Sequence, residues 1–98
     1  MAKIDPRLTE AIGQAKAGGS LQAVFTLRSD DPQTPLAPDQ TEARVKAVVD
    51  AAAAKASRKP NRVVVFANLQ SFSIDADAKV IANLLDADHI ETATLNKA

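Results

Sequence analysis

Period-two alternation runs from Leu21 to Arg28. Leu21, Ala23, Phe25 and Leu27 fall on one side and Gln22, Val24, Thr26 and Arg28 on the other, as in a half-buried strand. A second alternating stretch, about Gln70 to Asp75, sets Phe72 and Ile74 against Ser71, Ser73 and Asp75. Between them Arg62–Phe66 reads as a strand that is β-branched and apolar on both faces, and Ile90 to about Leu95 reads as a last strand. Three segments follow helical spacing instead. In the first, about residues 5–17, Asp5 can cap, Pro6 suits the first helical position, Leu8, Ile12 and Ala15 share a face, and Gly18-Gly19 stops the helix. The second runs from Asp39 or Thr41 to Ser57 with the stripe Val45, Val48, Val49 and Ala52; Asp39 and Glu42 have the spacing of a capping box, and Pro60 closes it. The third, capped by Asp75 or Asp77, carries Val80, Ile81, Leu84 and Leu85 to about Asp86. Residues 29–38 hold three prolines and read as a loop, whereas the Ala67-Asn68-Leu69 link has neither Gly nor Pro to mark a turn.

After the first helix the order is strand, helix, strand, strand, helix, strand. This predicts an α+β fold of one domain over residues 1–98: a ferredoxin-like βαββαβ sandwich, with a four-stranded antiparallel sheet and two helices on one face, plus the short N-terminal helix. Phe25, Leu27, Val48, Val49, Phe72, Ile74 and Leu84 are the expected core. The opposite sheet face, with Thr26, Ser71 and Ser73, is expected to be small and polar: solvated, or a platform for something else.

Composition narrows the function. The chain has 98 residues, of which 46% are hydrophobic, yet 20 of those are Ala, so the core must be built from few large side chains. Twelve basic and twelve acidic residues give no net charge, against the basic excess of a general polyanion binder. The run Lys55, Arg58, Lys59, Arg62 sits at a helix C-terminus, where cations offset the macrodipole. With no Tyr or Trp for base stacking, nucleic acid is not an expected partner. Without cysteine there is no thiolate chemistry, and the single His89, in Asp86-Ala-Asp-His89, lacks companions for a metal site, so no metal or cofactor is expected. No Gly-x-Ser-x-Gly elbow or phosphate-binding glycine pattern occurs, and the acids Asp30-Asp31 read as turn residues. No apolar run approaches the length of a membrane span, and Met1-Ala-Lys-Ile-Asp5 lacks a signal's apolar stretch, so a cytoplasmic, non-enzymatic binding module is the expectation.

Several segments resemble a family. Asp5-Pro-Arg-Leu8 leading to Ala23-Val-Phe-Thr-Leu-Arg28, then Arg62-Val-Val-Val-Phe66, Leu69-Gln-Ser-Phe-Ser-Ile-Asp75, Val80-Ile-Ala-Asn-Leu-Leu85 and His89-Ile-Glu91 are similar, in order and hydrophobic pattern, to the propeptide-like inhibitors of subtilisin-type serine proteases. The chain departs from them in having Gln70-Ser71 before Phe72 where the family often has Asn-Gly, and in its long proline-rich loop. The resemblance implies a stand-alone inhibitor or folding assistant of such a protease. Its open sheet face, here Thr26, Ser71 and Ser73, would pack on two surface helices of the enzyme. Its C-terminal tail, here Leu95, Asn96, Lys97 and Ala98, would enter the substrate cleft like a product strand, by β-augmentation. With Ala98 in the position before a cleaved bond, Leu95 would reach the apolar pocket three residues upstream; otherwise Leu95 finishes the last strand's apolar face. The competing expectation is a ferredoxin-like module for self-association, with the open face as a homodimer interface, or for small-ligand regulation.

Overall fold

The two alternating stretches form the centre of the sheet. The computed structural model describes residues 3–15, 19–29 and 33–96. Among these lie β1 (Lys3–Ile4), α1 (Pro6–Gln14), β2 (Ser20–Leu27), α2 (Pro38–Ala56), β3 (Arg62–Phe66), β4 (Ser71–Asp77), α3 (Ala78–Leu85) and β5 (Ile90–Leu95), with one 3-10 turn at Ala67–Leu69. The fold is mixed α+β, with three helices and a five-stranded sheet ordered β1-β5-β2-β4-β3. The four expected strands are mutually antiparallel where they pair. The expectation of a four-stranded sheet missed β1, which pairs parallel to β5 through Lys3↔Thr92 and Ile4↔Ala93. Two residues are too few to show a period, and β1 is a strand only because the edge of β5 is there to receive it.

Helix boundaries follow local chemistry. Asp5 caps α1, accepting from the Arg7 amide at 3.0 Å, with Pro6 in the first helical position. This helix ends at Gln14 rather than near 17, because Ala15 turns extended (φ −67°, ψ 134°); Gly18 lies outside the described residues. The expected Asp39–Glu42 capping box does not form. Helix α2 begins one residue before Asp39, with Ala37 in the cap position, and Gln40 Oε1 accepts from the Ala37 amide at 3.0 Å. Asp39 instead lies in the first turn, where its charge suits the positive end of the macrodipole. At the other end Ser57 adopts the left-handed conformation (φ 55°), and the amides of Ser57 and Arg58 return to Ala54 O and Ala53 O at 3.1 and 3.0 Å, a Schellman closure. Of the two candidate caps for α3, Asp77 is the one used: it accepts from the Lys79 amide at 2.8 Å.

One cluster holds the core. Leu8 of α1, Val45, Val48, Val49 and Ala52 of α2, and Val80, Ile81 and Leu84 of α3 meet Ala23, Phe25, Leu27, Phe72, Ile74, Ala76, Ile90 and Ala93 of the sheet. All seven expected core residues are buried. Each large side chain so buried contributes about 1.5–3 kcal/mol before conformational entropy is charged against it. Asn83 Nδ2 donates to Ala52 O at 3.1 Å and ties α3 to α2. In β5 the register steps from Thr26↔Thr92 to Leu27↔Ile90, so Glu91 is an extra, bulged residue. That bulge is why Ile90 and Ala93, three apart, both face the core.

Candidate functional site

Because every helix places its buried residues in that one cluster, the other face of the sheet carries no helix among the described residues. Strand register arranges that face in three rows. Phe66, Ser71, Thr26 and Thr92 form the first, and Val64, Ser73, Val24 and Thr94 the second, each neighbour being a Cα partner of the next. Arg62, Asp75 and Gln22 form the third, and the Asn96 amide extends it by donating to Gln22 O at 2.9 Å.

The sequence-derived residues Thr26, Ser71 and Ser73 therefore do lie together. Thr26 and Ser73 are half-buried, while Ser71 is buried and its hydroxyl donates to Leu69 O at 2.9 Å. The sequence reading missed that the face is apolar toward β3. Phe66 is 41% exposed there, and with Val64, Arg62, Ser73 and Gln22 it lines a shallow depression of about 230 Å³. The signal was present: in Val63-Val-Val-Phe66 only alternate residues can face the core, and Val63 and Val65 take those places. Leu69, in the turn beyond Phe66, is 70% exposed.

That turn is held by Gln70, which is left-handed (φ 51°) where a glycine or asparagine is usual. Its Oε1 accepts from the Leu36 amide, its Nε2 donates to Leu27 O at 3.4 Å, and its carbonyl accepts from the Leu27 amide at 2.7 Å. One side chain thus fastens the loop before α2 to the sheet.

The expected tail divides. Leu95 ends β5 as the Cα partner of Ala23, and its side chain packs against the core cluster. Asn96 is exposed; Lys97 and Ala98 lie outside the described residues. The root of the tail meets Asp5. Arg7 binds both oxygens of the Asp5 carboxylate, its Nη2 lying 3.0 Å from Oδ2, and the Leu95 amide donates to Oδ2 at 3.3 Å. The Arg7 side-chain hydrogen bonds, followed by its backbone N–H, hold the Asp5 carboxyl below its ordinary value, and Asp5 raises Arg7 in return.

The basic run is split by the fold. Lys55 is in the last turn of α2, Arg58 faces Asp77 with Nε 3.5 Å from Oδ2, and Arg62 belongs to the sheet face. His89 is exposed in the turn before β5, and among the described residues no three His, Asp or Glu side chains converge as a metal would require. Nor is any described helix long and apolar enough to cross a membrane. Comparison with protein-family models, curated proteins and solved structures finds no match.

Proposed function

We propose that this chain is a non-catalytic binding domain that docks a protein on its helix-free sheet face, and that its partner is a subtilisin-type serine protease which it inhibits or helps to fold. The carrying observation is that face: two rows of mostly small side chains ending in Val64 and an exposed Phe66, a third polar row, and no helix over it among the described residues. Two further features support the reading. The order β5-β2-β4-β3, antiparallel throughout, with α2 and α3 packed on one side, is compatible with a ferredoxin-like sandwich to which β1 and α1 are added, and supports the reading. The segments that resemble the propeptide-like inhibitors supply those same strands and α3. In the proposed complex Leu95 is the root of the tail, and Asn96, Lys97 and Ala98 extend into the substrate cleft as a strand added to the enzyme.

The test is a titration of a subtilisin-type protease with this chain, following hydrolysis of a chromogenic peptide. Saturable inhibition is expected, weakened both by removing Asn96 to Ala98 and by Phe66→Lys. A folded chain that leaves the protease fully active at high concentration overturns the proposal.

A second reading draws on Leu95, whose side chain is occupied by the core and so does not serve a protease pocket in this conformation. Here the sheet face pairs with a second copy. Sedimentation would then show a concentration-dependent dimer that survives loss of the tail and is lost with Phe66→Lys.

A further inference from the structure

The edge of β5 shows an unusual substitution of side chain for main chain. Strand β1 runs parallel to β5, and the Asp5 amide continues its ladder by donating to Ala93 O at 2.8 Å. In a continuing parallel ladder, the Asp5 carbonyl would next accept from the Leu95 amide. That carbonyl is already committed to α1, where it accepts from the Leu8 and Thr9 amides at 2.9 and 3.3 Å. The carboxylate takes its place: Oδ2 accepts from the Leu95 amide while Oδ1 caps the helix. On the inner side of β5, the next residue is fixed by the bond from the Asn96 amide to Gln22 O. Successive amides at the end of β5 are thus held from opposite sides.

We propose that Asp5 is a positioning residue for the C-terminal tail, a clamp that keeps its root, Leu95 and Asn96, in strand register. The proposal rests on the protease reading for its functional consequence, though not for the clamp itself. An ordered root reduces the conformational freedom the tail loses when it binds, which strengthens binding without adding a contact to the enzyme. Because the carboxylate also orients Arg7, the ion pair holds the clamp's own geometry.

Substitution separates clamp from cap. Asparagine and serine are both good N-caps, so Asp5→Asn and Asp5→Ser preserve the start of α1. Asparagine has one oxygen where two are needed, and its amide would oppose the Leu95 N–H; serine is too short to serve both. In the 98-residue chain, amide exchange at Leu95 is expected to accelerate about tenfold more than exchange at Phe25 and Val80, which reports any loss of global stability in either variant. The inhibition constant for a subtilisin-type protease is expected to rise about tenfold with Asp5→Asn, and to be insensitive to the same change in a chain lacking Asn96 to Ala98. Exchange at Leu95 that changes no more than exchange at Phe25 and Val80 overturns the clamp. An equal loss of inhibition with and without the tail overturns positioning and leaves Asp5 a purely structural residue. If the wild-type chain fails to inhibit, the protease reading falls, and Leu95 exchange alone decides the clamp.

Discussion

Phe25 and Phe72 are Cα partners on neighbouring antiparallel strands, and their rings stack with centroids 5.3 Å apart and planes 16° from parallel. Among the described residues they are the two largest fully buried side chains, and helices reach them from one side of the sheet only. In a core short of large residues, this pair occupies space that no neighbour can refill. Phe72→Ala is expected to cost about 3–5 kcal/mol, a large share of the whole stability of a domain this size. Urea unfolding measures it; a loss under about 1 kcal/mol would mean the core closes around the gap.

Thr41 is fully buried in α2, and its hydroxyl finds no hydrogen-bond partner among the described residues. Thr41→Val keeps the shape and removes an unpaired polar atom, so the chain should become more stable by about 1 kcal/mol. Denaturation midpoints decide the matter, and a destabilised variant would show that the hydroxyl is in fact satisfied.

Ser57 and Gln70 share a left-handed backbone but should respond oppositely to glycine. Among the described residues Ser57 is held by the backbone closure of α2, so Ser57→Gly relieves strain and is expected to stabilise by roughly 0.5–1 kcal/mol. At Gln70 the side chain bonds Leu36 and Leu27, and Gln70→Gly loses both bonds, leaving the Leu36 amide without its acceptor. The Gln70 variant should lose stability despite the easier φ. Parallel melts of the two variants test the contrast.

The Asp5 carboxyl titrates below its ordinary value of 3.8 in the folded protein, chiefly through the Arg7 side chain. A carboxyl with a depressed folded pKa contributes stability above its unfolded pKa and loses it as the pH falls through the folded value. Wild type should therefore exceed Asp5→Asn in stability at neutral pH, and the gap should close as the solution is acidified below 3.8. Urea midpoints across that range give the result; a gap independent of pH would assign the difference to something other than this charge.

Most of the fold was legible because β2, β4, α2 and α3 each repeat their pattern several times. Leu21 to Leu27 and Phe72 to Ala76 alternate, and Val45, Val48, Val49 and Ala52 recur at helical spacing, as the burial of those residues bears out. What escaped depends on partners far along the chain or on single residues. Strand β1 exists through Thr92 and Ala93, and the cap at Ala37 is made by a side chain three residues later. The turn at Gln70 takes a conformation that the residue type argues against, at a cost offset by bonds to Leu27 and Leu36. The sheet face was legible in part. Thr26 and Ser73 followed from parity, whereas the continuous apolar run in β3 concealed which way Phe66 points. At Asp5 the sequence signals a helix cap, and nothing local announces that its second oxygen serves a residue at the other end of the chain.

The pairing of β1 with β5 also bears on how the chain could be rewired. Lys3 lies beside Thr92, so the first and last described strands are side by side, and Asn96 is only four residues further on, roughly 13 Å at strand rise. A short flexible linker joining the N-terminus to the C-terminus would close the backbone into a ring at small entropic cost. New ends could then be opened in the segment before α2, leaving all five strands and three helices in place. In such a permuted chain the segment after Asn96 would be tethered at both ends, so the proposed protease inhibition through a free tail predicts that inhibition is lost.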